Sequence, residues 1–314
     1  MRIVVTGANG FVGTALCRRL QRSGHSVVGA LRTGEPNAPG IEGRVIGDIA
    51  ANPPWHDVLP GVEVVIHLAA LVHQMGKVVP SPDEYRRVNA TATRQLAEAC
   101  ARYGVRRMVF LSSVKVNGEC TPEKPFTEED APEPLDAYGV SKLEAEQGLM
   151  AVGKSTGLEC VVVRPPLVYG PGVRANFRRL LGVVARVRPL IVPGLKSKRS
   201  MIALANLADV LAVCAENPLA ANQVFLVSDN EDVTVSDLMR RLAHAMNRKI
   251  LILPASEGLL RLAAKVFGKE QEVRRLVDPL QVSPNKAMRL LRWSPPLDMN
   301  AGLAETVKWY RAQA

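Results

Sequence analysis

The first half of the chain alternates between short apolar, β-branched runs and stretches whose apolar residues recur at helical spacing, and that alternation admits few folds. Residues 2–6 (RIVVT), 26–31 (SVVGAL), 43–47 (GRVIG), 62–67 (VEVVIH), 106–111 (RRMVFL) and 158–163 (LECVVV) read as six strands. Helical patterns occupy 11–22, 83–103 and about 138–155. Strands that are apolar along their length, rather than on alternate residues, are covered on both faces, and the intervening helices supply the cover. The expectation is α/β: a Rossmann-type doubly wound parallel sheet with a smaller C-terminal lobe. After Arg164 the regularity breaks, with proline and glycine crowded into RPPLVYGPG. A helix at 206–215 and a strand at 223–227 return to the sheet. The proline-rich, acidic run 121–134 reads as an exposed loop, and the amphipathic, basic segment 255–268 as a lid or packing helix, with a helix resting on a membrane surface as the alternative.

Thr6-Gly7-Ala8-Asn9-Gly10-Phe11-Val12-Gly13 sits between the first strand and the first helix. Gly7 permits a tight turn, Gly10 lets a pyrophosphate approach the backbone, and Gly13 lets helix and sheet pack closely. The helix N-terminus offers unpaired N–H groups and a partial positive charge to phosphates. In this strand–turn–helix context the glycines predict a dinucleotide site. Residues 1–165, with 202–227 returning, are then the dinucleotide-binding domain, and 166–201 with 228–314 the substrate-binding lobe. An acid at the end of the second strand would hold an NAD ribose. Here the strand ends Gly29-Ala30-Leu31-Arg32, and a guanidinium there pairs with a 2′-phosphate. NADP(H) is expected ahead of NAD(H).

The formal net charge of +10 suits an anionic ligand, but the basic residues are dispersed and aromatics are only 4% of the chain, which argues against nucleic acid. No apolar run is long enough for an integral membrane segment, and nothing resembles a signal peptide. The five cysteines are scattered and contain no CxxC pair, so neither a disulfide framework nor a metal site is expected. A cytoplasmic protein is the expectation.

Tyr138-Gly139-Val140-Ser141-Lys142 opens a helix, and a spacing of four puts Tyr138 and Lys142 on one face. A free phenol, with a pKa of about 10, is a poor acid–base group at neutral pH. A neighbouring ammonium lowers that value. Leu111-Ser112-Ser113 ends the fifth strand, where ligands of such sheets bind, and Ser113 completes a candidate catalytic trio.

With these motifs the chain resembles the extended short-chain dehydrogenases/reductases of the NAD-dependent epimerase/dehydratase family. The resemblance rests on TGANGFVG (6–13), GDI (47–49), HLAA (67–70), Asn89, LSSVKVNG (111–118), YGVSK (138–142), RPPLVYGPG (164–172) and KRS…NLAD (198–209). It implies that Asp48 and Ile49 contact the adenine, that Leu68, Ala69 and Ala70 line the cofactor with Phe11 and Val12, and that Asn89 lies close to the active site. Pro165 would pack near the nicotinamide. Ser113 would hydrogen-bond the sugar oxygen, Tyr138 would exchange its proton, and Lys142 would bind the nicotinamide ribose and tune Tyr138. Lys115, Asn176 and Arg199 are candidate substrate contacts, the last two on a nucleotide diphosphate. A homodimer built on helices 83–103 and 138–155 is implied as well.

Departures from the family pattern narrow the chemistry. Sugar-nucleotide 4,6-dehydratases carry Asp-Glu just after the catalytic hydroxyl residue, where this chain has Val114 and Lys115. UDP-galactose 4-epimerases typically keep an acid at the second strand and an Asn where this chain has Leu167, and Asn117 replaces the tyrosine of VYG. The chain is similar to 4-ketoreductases of bacterial surface-polysaccharide (lipopolysaccharide O-antigen) synthesis. The expected reaction is NADPH-dependent reduction of a UDP-4-keto-6-deoxy-N-acetylhexosamine to UDP-N-acetylquinovosamine or its C4 epimer. UDP-hexose or UDP-N-acetylhexosamine 4-epimerisation with retained NAD is the alternative. A non-enzymatic dinucleotide-binding scaffold would have lost Tyr138 or Lys142, and both are present.

Overall fold

The computed structural model describes residues 1–72, 80–121, 123–186, 191–194, 196–254, 258, 265 and 278–313. The chain runs through β1 (Arg2–Thr6), α1 (Phe11–Arg22), β2 (Ser26–Leu31), β3 (Glu42–Val45), α2 (Trp55–Val58) and β4 (Val64–His67). Next come α3 (Pro82–Tyr85), a π-helical turn (Arg86–Thr91), α4 (Ala92–Arg102), β5 (Arg107–Leu111), α5 (Ala137–Thr156) and β6 (Glu159–Arg164). Then follow β7 (Leu167–Tyr169), α6 (Ala175–Arg186), β8 (Ile191–Gly194), β9 (Lys198–Ala203), α7 (Leu204–Glu216) and β10 (Val224–Leu226). The remainder is β11 (Asp232–Thr234), α8 (Val235–Ala245), β12 (Leu251–Pro254), α9 (Asn285–Leu290) and α10 (Met299–Arg311).

Seven strands make one sheet in the order β10-β6-β5-β4-β1-β2-β3, and every pairing in it is parallel. The order reverses between β1 and β4, whose carboxyl ends meet at the Thr6–His67 pair. A doubly wound sheet leaves its ligand crevice at this switch point. The continuous apolar character of the strands has a direct cause. In β1, Ile3 and Val5 face a core containing Leu16, Leu20, Leu207 and Leu211, whereas Val4 faces Leu96, Ala97, Leu149 and Phe110 on the other side. Successive side chains point to opposite faces, so each residue is buried by a different helix layer. Each such burial is worth about 1.5–3 kcal/mol.

β7, β9 and β11 form a separate three-stranded sheet, and β8 pairs with β12. Tyr169, Phe177, Leu181, Leu242 and Leu303 build a further core there. Arg107, fully buried at the start of β5, donates through Nη1 to the carbonyls of Cys214, Ala215 and Asn217 at the end of α7, at 2.9, 3.2 and 2.7 Å. It thereby satisfies helix-end acceptors that would otherwise be stranded in the core.

Three sequence expectations change. The strand expected at 43–47 is Glu42–Val45, an edge strand with all four residues exposed. The helix expected over 83–103 is interrupted by the π turn. The run 121–134 is not simply an exposed loop: Thr121 is buried, and Phe126 bridges Val282. Segment 255–268 lies almost wholly outside the described residues. Among those described, no helix is long and apolar enough to cross a membrane.

Candidate active site

The turn after β1 is shaped by what its glycines lack. Gly7 has φ +68°, in the left-handed region, and a Cβ there would come within 3.0 Å of the Ala69 nitrogen. At Gly13 a Cβ would lie 2.1 Å from the Gly7 oxygen and 2.8 Å from the Ala8 Cα. Gly10 caps α1 without any side-chain hydrogen bond, so the first-turn amides are left facing the crevice. Phe11 and Val12 start that helix half-buried. The result is a backbone cradle of the kind a dinucleotide pyrophosphate fits. Asn9, which sequence reasoning passed over, fastens this turn to the loop after β2: its Nδ2 donates to the Glu35 oxygen and its Oδ1 accepts from the Asn37 amide, at 2.8 and 2.7 Å. No sequence signal marks that contact, since the partners are 26 and 28 residues away.

Asp48 accepts from the Ala50 amide at 3.0 Å and from Arg87 at 3.3 Å. The amide first, then the Arg87 and Arg32 charges, hold its carboxyl below the usual range. Ile49 beside it is buried, and Arg32 stands exposed at the tip of β2.

Ser113, Tyr138 and Lys142 are brought together at the carboxyl end of β5. Asp136 caps α5 by accepting from the Gly139 amide at 2.7 Å, which sets Tyr138 in the first turn. The phenol is hydrogen-bonded to Ser113, and its ring meets Tyr85 edge-on with centroids 6.2 Å apart. Burial, and next the Asp136 charge, push the phenol up from its ordinary value, while the Ser113 hydrogen bond opposes them. Lys142 is buried; its Nζ donates to the Leu111 carbonyl at 2.8 Å and lies 4.4 Å from the Phe110 ring centre and 6.0 Å from that of Tyr138. Burial brings its pKa down to about 7, against the attraction of Glu146.

Behind Lys142 lies a buried network that the sequence did not announce. Arg164, at the end of β6, pairs with Glu146 on α5 through Nε and Nη2, the first at 2.9 Å, and donates through Nη1 to Asn117 at 3.1 Å. Ser112 donates to the same carboxylate. An arginine ending an apolar strand was the one available hint.

Asn89 sits in the π turn and is buried. Its side chain accepts from the Leu71 amide at 2.8 Å and donates to the Leu71 carbonyl at 3.0 Å and to Ser141 Oγ at 2.9 Å. It therefore braces the loop after β4 against the helix that carries Tyr138. His67, fully buried, joins Thr6 Oγ1 at 2.6 Å and Thr93 Oγ1 at 3.0 Å. The Thr93 hydroxyl donates to the Asn89 carbonyl, so it accepts from His67 Nε2–H. Nδ1 then accepts from Thr6, whose oxygen also receives the Leu68 and Ala69 amides, each at 3.2 Å. Only the neutral ring satisfies every partner, and burial, with the Lys142 charge, lowers its pKa to about 3. The unfolded chain takes up this proton below the ordinary value near 6.5, so stability should fall as pH drops from there toward 3. Thermal midpoints measured across that range should fall more steeply for the wild type than for His67→Gln; equal slopes would refute the assignment.

The NAD dependent epimerase/dehydratase family model matches residues 3–228. The chain is 40% identical over 98% of its length to a UDP-glucose 4-epimerase of Vibrio cholerae, covering 94% of that protein. It is 31% identical over 78% of its length to a 2-alkyl-3-oxoalkanoate reductase of Stenotrophomonas maltophilia, covering 76% of it. The structure of MoeE5 in complex with UDP-glucuronic acid and NAD superposes with a TM-score of 0.78 at 26% identity, with 100% of both chains covered. The chain belongs to the NAD-dependent epimerase/dehydratase family. It is an enzyme of that type, an extended short-chain dehydrogenase/reductase with a Rossmann-type sheet.

Within this family member the outer candidates divide. Pro165 is buried, and its carbonyl accepts from the amide of Val114, the residue after Ser113, at 3.0 Å. Leu68, Ala69 and Ala70 are half-buried along the end of β4. Arg199, on β9, is half-buried and donates to the Asp278 carbonyl at 2.7 Å. Asn176 is exposed at the start of α6. Lys115 turns toward the protein, with its ammonium paired to Glu119 at 2.7 Å and to Asp136.

Proposed function

We propose that this protein reduces the 4-keto group of a UDP-4-keto-6-deoxy-N-acetylhexosamine with NADPH, giving UDP-N-acetylquinovosamine or its C4 epimer for a bacterial surface polysaccharide. The observation that carries the reading is the pairing of a Ser113–Tyr138–Lys142 trio with a β2 tip that ends in Arg32 and holds no acid. A reductase consumes a dissociable cofactor each turnover, and that favours a phosphate-specific site over a permanently held NAD.

The cradle of Gly7, Gly10 and Gly13 would hold the pyrophosphate of a reduced nicotinamide dinucleotide, which when bound would supply the hydride for C4. Ser113 Oγ orients the C4 oxygen, and the Tyr138 hydroxyl gives it a proton as the ketone becomes an alcohol. Lys142 holds positive charge near the phenol and so favours release of that proton. Leu68, Ala69, Ala70 and Pro165 wall the nicotinamide side, and Arg199 with Asn176 supplies polar groups for the diphosphate. Elimination of water finds no acid pair, because Val114 and Lys115 occupy those positions.

A second reading, 4-epimerisation of a UDP-hexose with retained NAD, is favoured by the 40% identity to the Vibrio cholerae UDP-glucose 4-epimerase. One assay separates them. Stoichiometric loss of NADPH with the 4-keto sugar supports the reductase; interconversion of UDP-sugars without added cofactor supports the epimerase and overturns the first reading. Arg32→Glu should weaken NADPH through loss of a charge-assisted contact of about 1.5–3 kcal/mol, more than tenfold in affinity. NADH binding should change little, and an unchanged preference in fluorescence titration would remove Arg32 from the site.

A further inference from the structure

Lys115 stands two residues after Ser113, and its ammonium is taken up by two carboxylates of the protein. Nζ donates to Glu119 Oε1 at 2.7 Å and pairs with Asp136 Oδ2. Its amide donates to Ser113 Oγ at 3.3 Å. Its carbonyl fills the space at Gly139, where a Cβ would approach it to 2.8 Å. One residue thus touches Ser113 and the residue that follows Tyr138.

Asp136 explains why such a contact is needed. Its Oδ1 accepts from the Gly139 amide at 2.7 Å, capping the helix that presents Tyr138. An N-cap of this kind is worth about 1 kcal/mol to the helix, and Asn would do it as well as Asp. The carboxylate adds a negative charge two residues from the phenol, and negative charge opposes phenolate formation. The groups facing Tyr138 are the Ser113 hydroxyl beyond β5, Tyr85 from α3, and Asp136 and Lys142 from its own helix. Lys142 is the favourable charge in that set, and Asp136 the unfavourable one. Beyond Lys115 the signs continue to alternate, from Asp136 to Lys115 to Glu119, with Glu119 acting in turn on Arg199 of β9.

We infer that Lys115 is a positioning residue that partly offsets the Asp136 carboxylate, so that the helix start it caps holds Tyr138 against Ser113. The inference rests on the acid–base role proposed for Tyr138. It replaces a substrate contact at Lys115 with a contact to the machinery.

The test uses the full-length enzyme loaded with oxidised cofactor. Phenolate absorbance is titrated with pH and corrected by the same titration of Tyr138→Phe, which isolates the Tyr138 signal. Lys115→Met should raise the Tyr138 pKa by about one unit and Asp136→Asn should lower it. The double variant should return close to the wild type, and Lys115→Arg, which keeps the charge, should leave the titration in place. Thermal midpoints confirm that each variant is folded. An unmoved titration in Lys115→Met, or a double variant that does not return, overturns the inference. A raised KM with an unmoved titration would make Lys115 a substrate contact instead. No Tyr138 titration in any variant also overturns it, and if Tyr138→Phe then turns over at the wild-type rate, the reading of Tyr138 has failed with it.

Discussion

Tyr138→Phe is expected to lower kcat by roughly 10²–10⁴-fold, the range contributed by a positioned proton donor. The fold should survive, because only the hydroxyl is lost. Its hydrogen bond to Ser113 is worth about 0.5–1.5 kcal/mol net, and the ring keeps its edge-on contact with Tyr85. Ser113 retains the Lys115 amide as a partner. Cofactor affinity should stay within a few-fold, since the glycine cradle and Lys142 are untouched. The direction of the wild-type pH dependence adds a second reading of the same group. Reduction needs the protonated phenol, so single-turnover reduction should be lost as pH rises through the Tyr138 pKa. Sugar oxidation, the first half of an epimerisation, needs the phenolate and should be lost as pH falls. Wild-type turnover in a folded Tyr138→Phe would sink the acid–base assignment.

The second large effect is on stability. Arg164 and Glu146 are about 6% exposed each and face one another between β6 and α5. Replacing Arg164 by Met removes one charge and leaves the other in the core, and breaking a buried pair costs about 3–5 kcal/mol. For a chain of this size that corresponds to a thermal midpoint lower by on the order of 10 °C. Arg164→Met with Glu146→Gln should recover part of the loss, because no uncompensated carboxylate remains. The same variant carries a chemical signature. Glu146 attracts the charged form of Lys142, so freeing that carboxylate from Arg164 should raise the lysine above its present value of about 7. Chemical denaturation of the single and double variants measures the first effect. A loss under about 1 kcal/mol for Arg164→Met would mean that the pair is hydrated and does not govern the core.

What the sequence determined by itself is what depends on neighbours along the chain. The strands and helices of the first half follow from apolar spacing, and the cradle follows from glycines at 7, 10 and 13 between a strand and a helix. Tyr138 and Lys142 share a face because they are one helical turn apart, and Asp136 ends up as the cap. Strand order, by contrast, is settled by which layers of side chains can be buried together. That order alone brings Thr6 to His67 across 61 residues and Arg164 to Asn117 across 47. The neutral ring of His67, the bracing by Asn89 from a π turn, and the inward turn of Lys115 toward Asp136 all depend on it. Each is a hydrogen-bond or charge contact between elements, and such contacts form only where burial makes an unsatisfied polar group too costly to leave alone. Periodicity in a single strand or helix carries no record of that cost, so the tertiary structure had to decide it.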